Sequence, residues 1–424
     1  MDTQTQPRLS AAESALIDAY NASFGDLPGN GAVASARDRL LDDLKTKGLP
    51  TRRIEAWHYT DLKTLLRAVP SEASTAVIDA KTPFVDGSPV LAALQGKVDA
   101  KAAVEGVLVS AFADMLREGT AAPGLSVIDG DDAIGRINGS FVADGYVLEV
   151  PADTELETPI EIQAIHGGGQ VHTRFPVSFG ANSTATVIER HAATGDGSAF
   201  VSTVSDISVG DGADVTWVIV QQQGAEDTHL GQIRIRVGAD AKLKLFVINA
   251  GGKLVRQELR IDVSGENAEL TLRGVNLLGG DTHTDVTLVL AHNVPNTSST
   301  EVFRNVVFDR ARGVFQGMIK VALDAQKTDA KMSCNTLLLS DDADFSAKPE
   351  LEIFADDVVC GHGATVADID DNHLYYLKAR GIPENKARAM LVNAFVAEIV
   401  EELENEQLVE ALEDIISVWL EKHA

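Results

Sequence analysis

Hydrophobic positions follow a helical spacing at both ends of the chain. The segment Ser10–Glu13 has the spacing of a capping box, in which two side chains satisfy free amides at the start of a helix. A second predicted helix covers Val33–Lys47 and ends at Gly48, because glycine suits the left-handed C-terminal cap. Towards the C-terminus, the same spacing predicts one helix that begins near Pro383 and a last helix over about Glu406–Lys422.

Between these helical regions the period changes to that of β-strands. From about Val127 onward, glycine, asparagine and aspartate separate short runs that alternate or are rich in β-branched residues, such as Thr184–Ile188, Val215–Val220 and Ile233–Val237. Such runs predict strands joined by tight turns. The patterns divide the chain into a mainly helical N-terminal region over residues 1–125, a β core over residues 126–370 and a helical C-terminal region over residues 371–424.

A short motif repeats along the β-rich region. Four segments share the pattern Gly-x-(Asn/Asp/Gly)-(Ala/Ser)-x-apolar-x-apolar and begin at Gly180, Gly210, Gly238 and Gly265, so successive starts lie 30, 28 and 27 residues apart. A near-constant period built of strands and turns is typical of stacked coils, whereas propeller blades usually have roughly 40 residues or more. We therefore predict a mainly β fold whose core is a right-handed parallel β-helix (β-solenoid), and a β-propeller is the less favoured alternative.

The charge of the chain argues against some classes of partner. With 36 Lys and Arg residues against 63 Asp and Glu residues, the formal net charge is −27. A negative field repels DNA, RNA and anionic lipid, so we expect no nucleic-acid partner and no membrane partner. No apolar run approaches the roughly 18 residues of a membrane-spanning helix, and the first ten residues show no secretion signal. Because the chain has only two cysteines, Cys334 and Cys360, we expect a reducing compartment, the cytoplasm.

Signatures of common enzymes are absent from the sequence. The segment Gly251–Lys253 lacks the earlier glycine and the hydroxyl residue of a phosphate-binding loop, so we do not expect this chain to hydrolyse ATP by itself. No serine-hydrolase elbow, zinc-protease motif or C-x-x-C motif occurs. We expect the histidines in or beside the predicted strands to be solvated or hydrogen-bonded rather than metal ligands. These are His166, His172, His229, His283 and His292.

One short segment, Cys360–Gly363, combines two donor groups that suit a transition metal. In a strand, the thiol of Cys360 and the imidazole of His362 would point to one face, and the intervening glycine allows another backbone to approach. Sulfur and imidazole suit iron, zinc or copper, but two ligands do not complete a usual site. Either another chain supplies the remaining ligands, or Cys360 is a buried structural cysteine beside a hydrogen-bonded histidine.

The segment around Cys360 also resembles a known family. Residues 356–366 (DDVVCGHGATV) and 374–382 (LYYLKARGI) closely resemble the C-terminal signature of the SufB/SufD family of the SUF iron–sulfur cluster assembly system. The upstream stretches 308–317 (FDRARGVFQG) and 347–351 (AKPEL) fit the same family. Near the front, residues 53–60 (RIEAWHYT) resemble the family's Glu-x-Trp-x-Tyr-Thr segment, in which we expect the aromatic rings to anchor the chain on the body of the protein.

The resemblance implies a role as a non-enzymatic scaffold subunit. Because the chain has few cysteines and a histidine in the signature, it resembles the SufD members of the family rather than the SufB members. Such a subunit is expected to pair with a SufB-like subunit and to bind the ABC-type ATPase SufC through terminal helices over about residues 383–420. The resemblance leaves open whether the isolated chain forms a homodimer.

The resemblance also assigns the two donor residues. His362 matches the family's cluster-site histidine and Cys360 matches the cysteine just before it, so iron or a transient iron–sulfur cluster is expected there, shared with the partner chain. We expect no tightly bound cofactor on the isolated chain, since two donors are too few. Cys334 matches no family role, and we interpret it as a core residue.

Two other functions remain open from the sequence. A β-helical carbohydrate-active enzyme would need carboxylates paired across the scissile bond and commonly works outside the cell, but no signal peptide is visible and aromatic residues make up only 5% of the chain. A stand-alone metal-binding or redox protein would need more soft or imidazole donors in one cluster than the pair Cys360 and His362.

Overall fold

The computed structural model describes residues 9–70, 77–195 and 197–423. Helices lie at the two ends of this chain, and strands make up its middle. The α-helices are α1 (Ala11–Ser23), α2 (Gly31–Lys47), α3 (Leu62–Leu65), α4 (Phe112–Glu118), α5 (Ala133–Phe141), α6 (Asp371–Ala379), α7 (Glu384–Val400) and α8 (Glu406–His423). Short 3₁₀ turns occur at Glu55–Trp57 and Ala122–Gly124.

The strands are mostly about ten residues long in the central region. They are β1 (Val90–Leu94), β2 (Lys97–Val98), β3 (Leu108–Ala111), β4 (Tyr146–Val150), β5 (Ile160–His166), β6 (Gly169–Phe179), β7 (Thr184–Ala193), β8 (Ala199–Val209), β9 (Asp214–Gln222), β10 (Thr228–Val237), β11 (Lys242–Asn249), β12 (Leu254–Val263), β13 (Glu269–Leu278), β14 (His283–His292), β15 (Ser298–Val307), β16 (Arg312–Val321), β17 (Asp329–Leu338), β18 (Asp344–Ile353) and β19 (Val359–Ala367).

Successive strands alternate between two sheets. One sheet, called the odd sheet, has the order β19-β17-β15-β13-β11-β9-β7-β5-β1-β2, and the other, the even sheet, has the order β18-β16-β14-β12-β10-β8-β6-β4-β3. Neighbouring strands run parallel except for the pairs β1–β2 and β3–β4. Each coil therefore adds one strand to each sheet, which confirms the predicted parallel β-solenoid and excludes the propeller.

The repeated motif lies at the turns where consecutive coils touch. Its first glycine is needed because a Cβ on Gly265 would lie 1.8 Å from the backbone nitrogen of Ala239 in the preceding coil, and a Cβ on Gly180 would lie 2.3 Å from that of Ala152. Its third position has a left-handed backbone, which favours Gly, Asn and Asp. The φ angles there are 56° at Asn182, 68° at Gly212, 54° at Asp240 and 60° at Asn267.

Helices cover the outer faces of both sheets, and a mainly apolar core lies between the sheets. Phe200, Val204 and Leu230 point outward from the even sheet and pack with apolar residues of α1, α2 and α5. On the odd sheet, Phe246 and Val275 pack with α7 and α8 in the same way. Each such buried side chain contributes about 1.5–3 kcal/mol, so the terminal helices are held mainly by their apolar faces.

The helix boundaries agree closely with the sequence pattern. Ser10 Oγ accepts from the Glu13 amide at 3.2 Å and the Glu13 carboxylate accepts from the Ser10 amide at 2.5 Å, so the capping box is present. Gly48 ends α2 with a φ of 70°. Pro383 immediately precedes α7, and α8 begins at Glu406 as predicted.

The sheets begin earlier than the β-rich sequence pattern suggests. Strand β1 already pairs in parallel with β5, with Val90 opposite Glu161, although it lies within the N-terminal 125 residues. Conversely, α5 at Ala133–Phe141 lies after residue 125, where it packs on the outer face of the even sheet. Neither β1, at the start of the stack, nor α5, a helix that covers the sheet, carries the repeat motif. The motif therefore could not mark where the sheets begin.

The segment around Glu55–Trp57 fastens the N-terminal region to the last coils. Trp57 is fully buried, and the Arg256 guanidinium lies 3.9 Å above its ring, so this ring is the predicted anchor. Tyr59, by contrast, is 36% exposed. Lys348 of β18 forms an ion pair with Glu55, which lies 293 residues away in the sequence. Within the part of the chain that the structure describes, no helix has the length and apolarity needed to cross a membrane.

Candidate functional site

Cys360 and His362 lie on the last strand of the solenoid. Strand β19 pairs with β17 on one side only, so it forms the outer edge of the odd sheet. In this pairing Cys360 is opposite Ala330 and His362 is opposite Met332, both of which belong to the apolar core between the sheets. Since residues in register share a face, both donors lie on the inward face of the terminal strand, as their i, i+2 spacing predicts.

The two donors are accessible because no later strand covers them. Cys360 is a free, half-buried cysteine and His362 is exposed. Burial raises the pKa of the Cys360 thiol, and the nearby charges of Asp329 and Glu301 raise it further. A Cβ added at Gly361 or Gly363 would meet nothing within 4 Å. These glycines are therefore not required by packing within this chain, and they leave β19 open to another backbone.

A buried carboxylate lies behind the pair. Glu301 on β15 is in register with Met332 on β17, which is in register with His362, so the three side chains form one inward column. Glu301 is fully buried, and neither carboxylate oxygen has a hydrogen-bond partner among the described residues. Burial accordingly raises the pKa of Glu301 to about 7.

Glu301 was not among the residues predicted to lie at this site. One feature of the sequence could have pointed to it: Glu301 is a single charged residue between Ser299 and Phe303, at a position of the alternating strand that faces inward. That signal depends on knowing the strand register, which the sequence pattern alone does not give.

Cys334 lies in the core next to a ladder of amides. It is fully buried, which raises the pKa of its thiol to about 12, and Asn305 Nδ2 donates to its sulfur at 3.3 Å. Asn305 in turn accepts from Asn276, and Asn276 accepts from Asn249, each at 2.7 Å. A thiol in this environment is unreactive, in agreement with the interpretation of Cys334 as a core residue.

The predicted structural histidines are buried or half-buried, and most of them are hydrogen-bonded. His229 differs, because neither ring nitrogen has a partner among the described residues. The pairs are His166 Nε2 with Gln223 Oε1 at 2.5 Å, His172 Nδ1 with Ser202 Oγ at 2.8 Å, His283 Nε2 with Thr60 Oγ1 at 2.9 Å, and His292 Nδ1 with Thr297 Oγ1 at 2.8 Å.

The pair Cys360 and His362 supplies two donors and no more. Across residues 9–70, 77–195 and 197–423, no group of three or more His, Cys, Asp or Glu side chains is placed to hold a metal ion. A thiolate and an imidazole can bind iron, but a stable site usually needs further ligands. That another chain supplies them stays a prediction.

Several exposed side chains near the pair are apolar. Exposed apolar side chains on or beside β18 and β19 are Ile353, Phe354, Val359 and Val366. A second exposed group lies on the C-terminal helices, where Tyr375 is 75% exposed and Tyr376 is 57% exposed. Exposed apolar side chains of this size are available for contact with another protein.

Comparisons with known proteins agree with the geometry. The family described as "SUF system FeS cluster assembly, SufBD core domain" matches residues 162–395, which is more than half of the chain. This chain belongs to the SufBD family. Its matched region covers the solenoid from β5 to β19 and most of α7, and it includes Glu301, Cys360 and His362.

Individual SufBD relatives are similar over most of their length. The iron–sulfur cluster assembly protein SufD of Escherichia coli is 29% identical over 401 residues, which cover 90% of this chain and 91% of that protein. An iron–sulfur cluster assembly SufBD family protein of Synechocystis sp. is 27% identical over 88% of this chain and 87% of its own length. The SufD protein of Bacillus subtilis is 27% identical over 66% of this chain and 65% of its own.

Proposed function

We propose that this SufBD family protein is a non-enzymatic scaffold subunit of a cytoplasmic SUF complex. It pairs with a SufB-like subunit and holds iron or a nascent iron–sulfur cluster, as cargo, at Cys360 and His362. The observation that carries the proposal is the position of these two donors, on the inward face of a terminal strand whose outer edge is unpaired in the described chain. The family favours this role over a carbohydrate-active enzyme or a stand-alone metal protein.

The free edges of β18 and β19 support pairing with a similar subunit. An edge strand presents a row of unpaired N–H and C=O groups, and natural proteins usually cover or blunt such edges. Here Val359 and Val366 are exposed along β19, and Phe354 is 61% exposed directly after β18. A partner solenoid that adds its own strands would cover these residues and bring its own ligands next to His362. The same edges would let the isolated chain pair with a second copy.

The C-terminal helices support docking of an ABC-type ATPase, the SufC-like partner. Helices α7 and α8 are anchored on the odd sheet through Val396, Leu412 and Ile416. Their neighbour α6 presents Tyr375 and Tyr376 to solvent, and tyrosine is enriched at protein interfaces. Because this chain has no phosphate-binding loop, a partner would have to supply ATP hydrolysis.

The assembly role is tested by purification under anaerobic conditions from the native cell. We expect tagged full-length protein to recover a SufB-like subunit and an ABC-type ATPase, identified by mass spectrometry. Iron and acid-labile sulfide are measured on the same material. Recovery of neither partner from cells that express both would contradict the assembly role.

The site is tested by His362→Ala, with His373→Ala as a matched exposed histidine on α6. We expect His362→Ala to recover both partners while it loses most of the bound iron and sulfide, because the imidazole is a ligand and not a packing residue. His373→Ala should retain both. Normal iron and sulfide on the His362→Ala complex would disprove the assignment of the site but not the assembly role.

A further inference from the structure

Six polar side chains face one another inside the solenoid, far from the terminal strand. This inner chamber is defined by His166, His191, Gln221, Gln223, His229 and Gln257, all of which are at most 5% exposed. Gln221 lies beside His191 on the neighbouring strand, and the rings of His191 and His229 are 4.9 Å apart across the interior. Gly231 makes room for this group, since a Cβ there would lie 2.4 Å from Gln257 Oε1.

The chamber contains a concentration of polar atoms without partners. Seven atoms have no hydrogen-bond partner among the described residues: Nδ1 of His166, Nδ1 of His191, Oε1 of Gln221, Nε2 of Gln223, Nδ1 and Nε2 of His229, and Oε1 of Gln257. Leaving a buried donor or acceptor unsatisfied costs about 1–3 kcal/mol, so seven would cost roughly 7–20 kcal/mol. This cost is as large as the whole stability of a typical domain, so we expect most of these atoms to have partners in the folded protein.

The existing hydrogen bonds determine which of these atoms donate. Gln223 Oε1 and the Glu189 carboxylate can only accept, so His166 and His191 each donate through Nε2. As neutral rings, both then present an accepting Nδ1 to the chamber. In a neutral ring, His229 offers one donor and one acceptor, and burial lowers the pKa of His229 well below its usual value. The chamber thus offers two donors, one on His229 and one on Gln223, against five acceptors.

This inventory selects the chemical class of the ligand. An anion would need mostly donors and does not fit five acceptors. A metal ion would need several ligating side chains placed around one point, and the described part of the chain has no such group of three. Water fits, because each molecule donates two hydrogen bonds and still accepts others, and buried waters commonly make about three hydrogen bonds to such groups.

We propose that the inner chamber is a binding site for a cluster of ordered water molecules. The cluster satisfies the ring nitrogens and amide groups, and it bridges Gln221 to Asn249, which lies next to Gln221 in register and has an unpartnered Oδ1 of its own. Asn249 begins the amide ladder that ends at Cys334. The water therefore makes the polar path inside the solenoid continuous from His191 to the sulfur of Cys334.

A high-resolution crystal structure of the full-length protein tests the proposal directly. We expect water density within hydrogen-bonding distance of both nitrogens of His229 and of Gln221 Oε1. Direct pairing of the rings and amides with no density between them would overturn the proposal. An anomalous-scattering peak in the chamber would also overturn it, in favour of a metal site.

Water-oxygen magnetic relaxation dispersion gives a second test in solution, because it counts internal waters that exchange slowly. His229→Leu removes both ring nitrogens and should lose at least one long-lived water relative to the unmodified protein. The control His292→Leu changes a buried histidine outside the chamber. Both of its ring nitrogens are hydrogen-bonded to hydroxyl groups of the chain, so this variant should lose no water. An unchanged count in a folded His229→Leu variant contradicts the proposal, and the crystal structure of the unmodified protein decides it if that variant does not fold.

Discussion

The buried carboxyl of Glu301 gives the molecule a specific dependence of stability on pH. Its pKa is raised to about 7 in the folded protein by burial, against an ordinary value of 4.5. A group whose pKa is higher in the folded state stabilises the fold while it is protonated. That contribution is complete below about pH 4.5 and is lost as the pH rises through about 7.

The magnitude follows from the two pKa values. A shift of one pKa unit corresponds to about 1.4 kcal/mol, so the full cost of ionising Glu301 in the folded state is on the order of 3 kcal/mol. Most of this cost, about 2–3 kcal/mol, develops between about pH 5 and about pH 8.5. Glu301→Gln cannot ionise, so the free energy of unfolding of the unmodified protein should fall by about 2–3 kcal/mol relative to the variant over this range.

Urea unfolding of the two proteins across this pH range measures the difference. The difference in unfolding free energy between the two proteins at each pH cancels the titration of all other groups. The buried glutamine amide of the variant adds only an offset that does not change with pH. Glu269→Gln, an exposed position on the same sheet, serves as the control and should show no such slope. Parallel stability curves for Glu301→Gln and the unmodified protein would refute the reasoning, since they would mean that Glu301 ionises without cost.

Three further perturbations test other parts of the structure. Burial lowers the pKa of His172 to about 3, so acidification to about pH 5 should destabilise the unmodified protein by about 2 kcal/mol more than His172→Phe in urea unfolding; equal losses would refute this. Arg256→Met should cost about 3–5 kcal/mol in thermal unfolding, because it removes the cation shared by the buried carboxylates of Glu258 and Asp285, and Glu258 keeps only the more distant Arg260. A negligible change would refute that role. Gly265→Ala should prevent normal stacking of the coils and lower the unfolding temperature, and an unchanged unfolding temperature would contradict the packing argument. Gly361→Ala should leave the isolated chain as stable as before and weaken only the recovery of a SufB-like subunit.

Local patterns in the sequence predicted those features that depend on local geometry. The third residue of the repeat motif has a left-handed backbone, which explains why Asn, Asp and Gly occur there and why the motif marks each turn. The i, i+2 spacing of Cys360 and His362 correctly predicted that both lie on one face, because side chains alternate between the two faces of a strand. The expected assembly role came from the resemblance to the SufB/SufD family, carried mainly by short stretches between residues 308 and 382.

Features that depend on contacts between distant segments could not be predicted in this way. The isolation of Glu301 follows from which residues occupy the neighbouring strands, and those lie about 30 residues away in the sequence. Strand β1 pairs with β5 across roughly 70 residues of sequence that include β2, β3, α4 and α5. Tyr59 illustrates the same limit. Its aromatic ring suggested burial, but it is 36% exposed, whereas Trp57 is buried against the Arg256 guanidinium of the solenoid.

The attachment of the N-terminal segment to the last coils has a consequence for synthesis of the chain. Glu55 leaves the ribosome early, but its partner Lys348 is synthesised 293 residues later. Gln316, which donates to the carbonyl of Ala56, follows that residue by 260 positions. Contacts of such long sequence separation form late in folding. Coils near the front can stack while translation continues, but the end that presents His362 is completed last. Only finished chains then display a surface ready for a partner, and truncated products lack it.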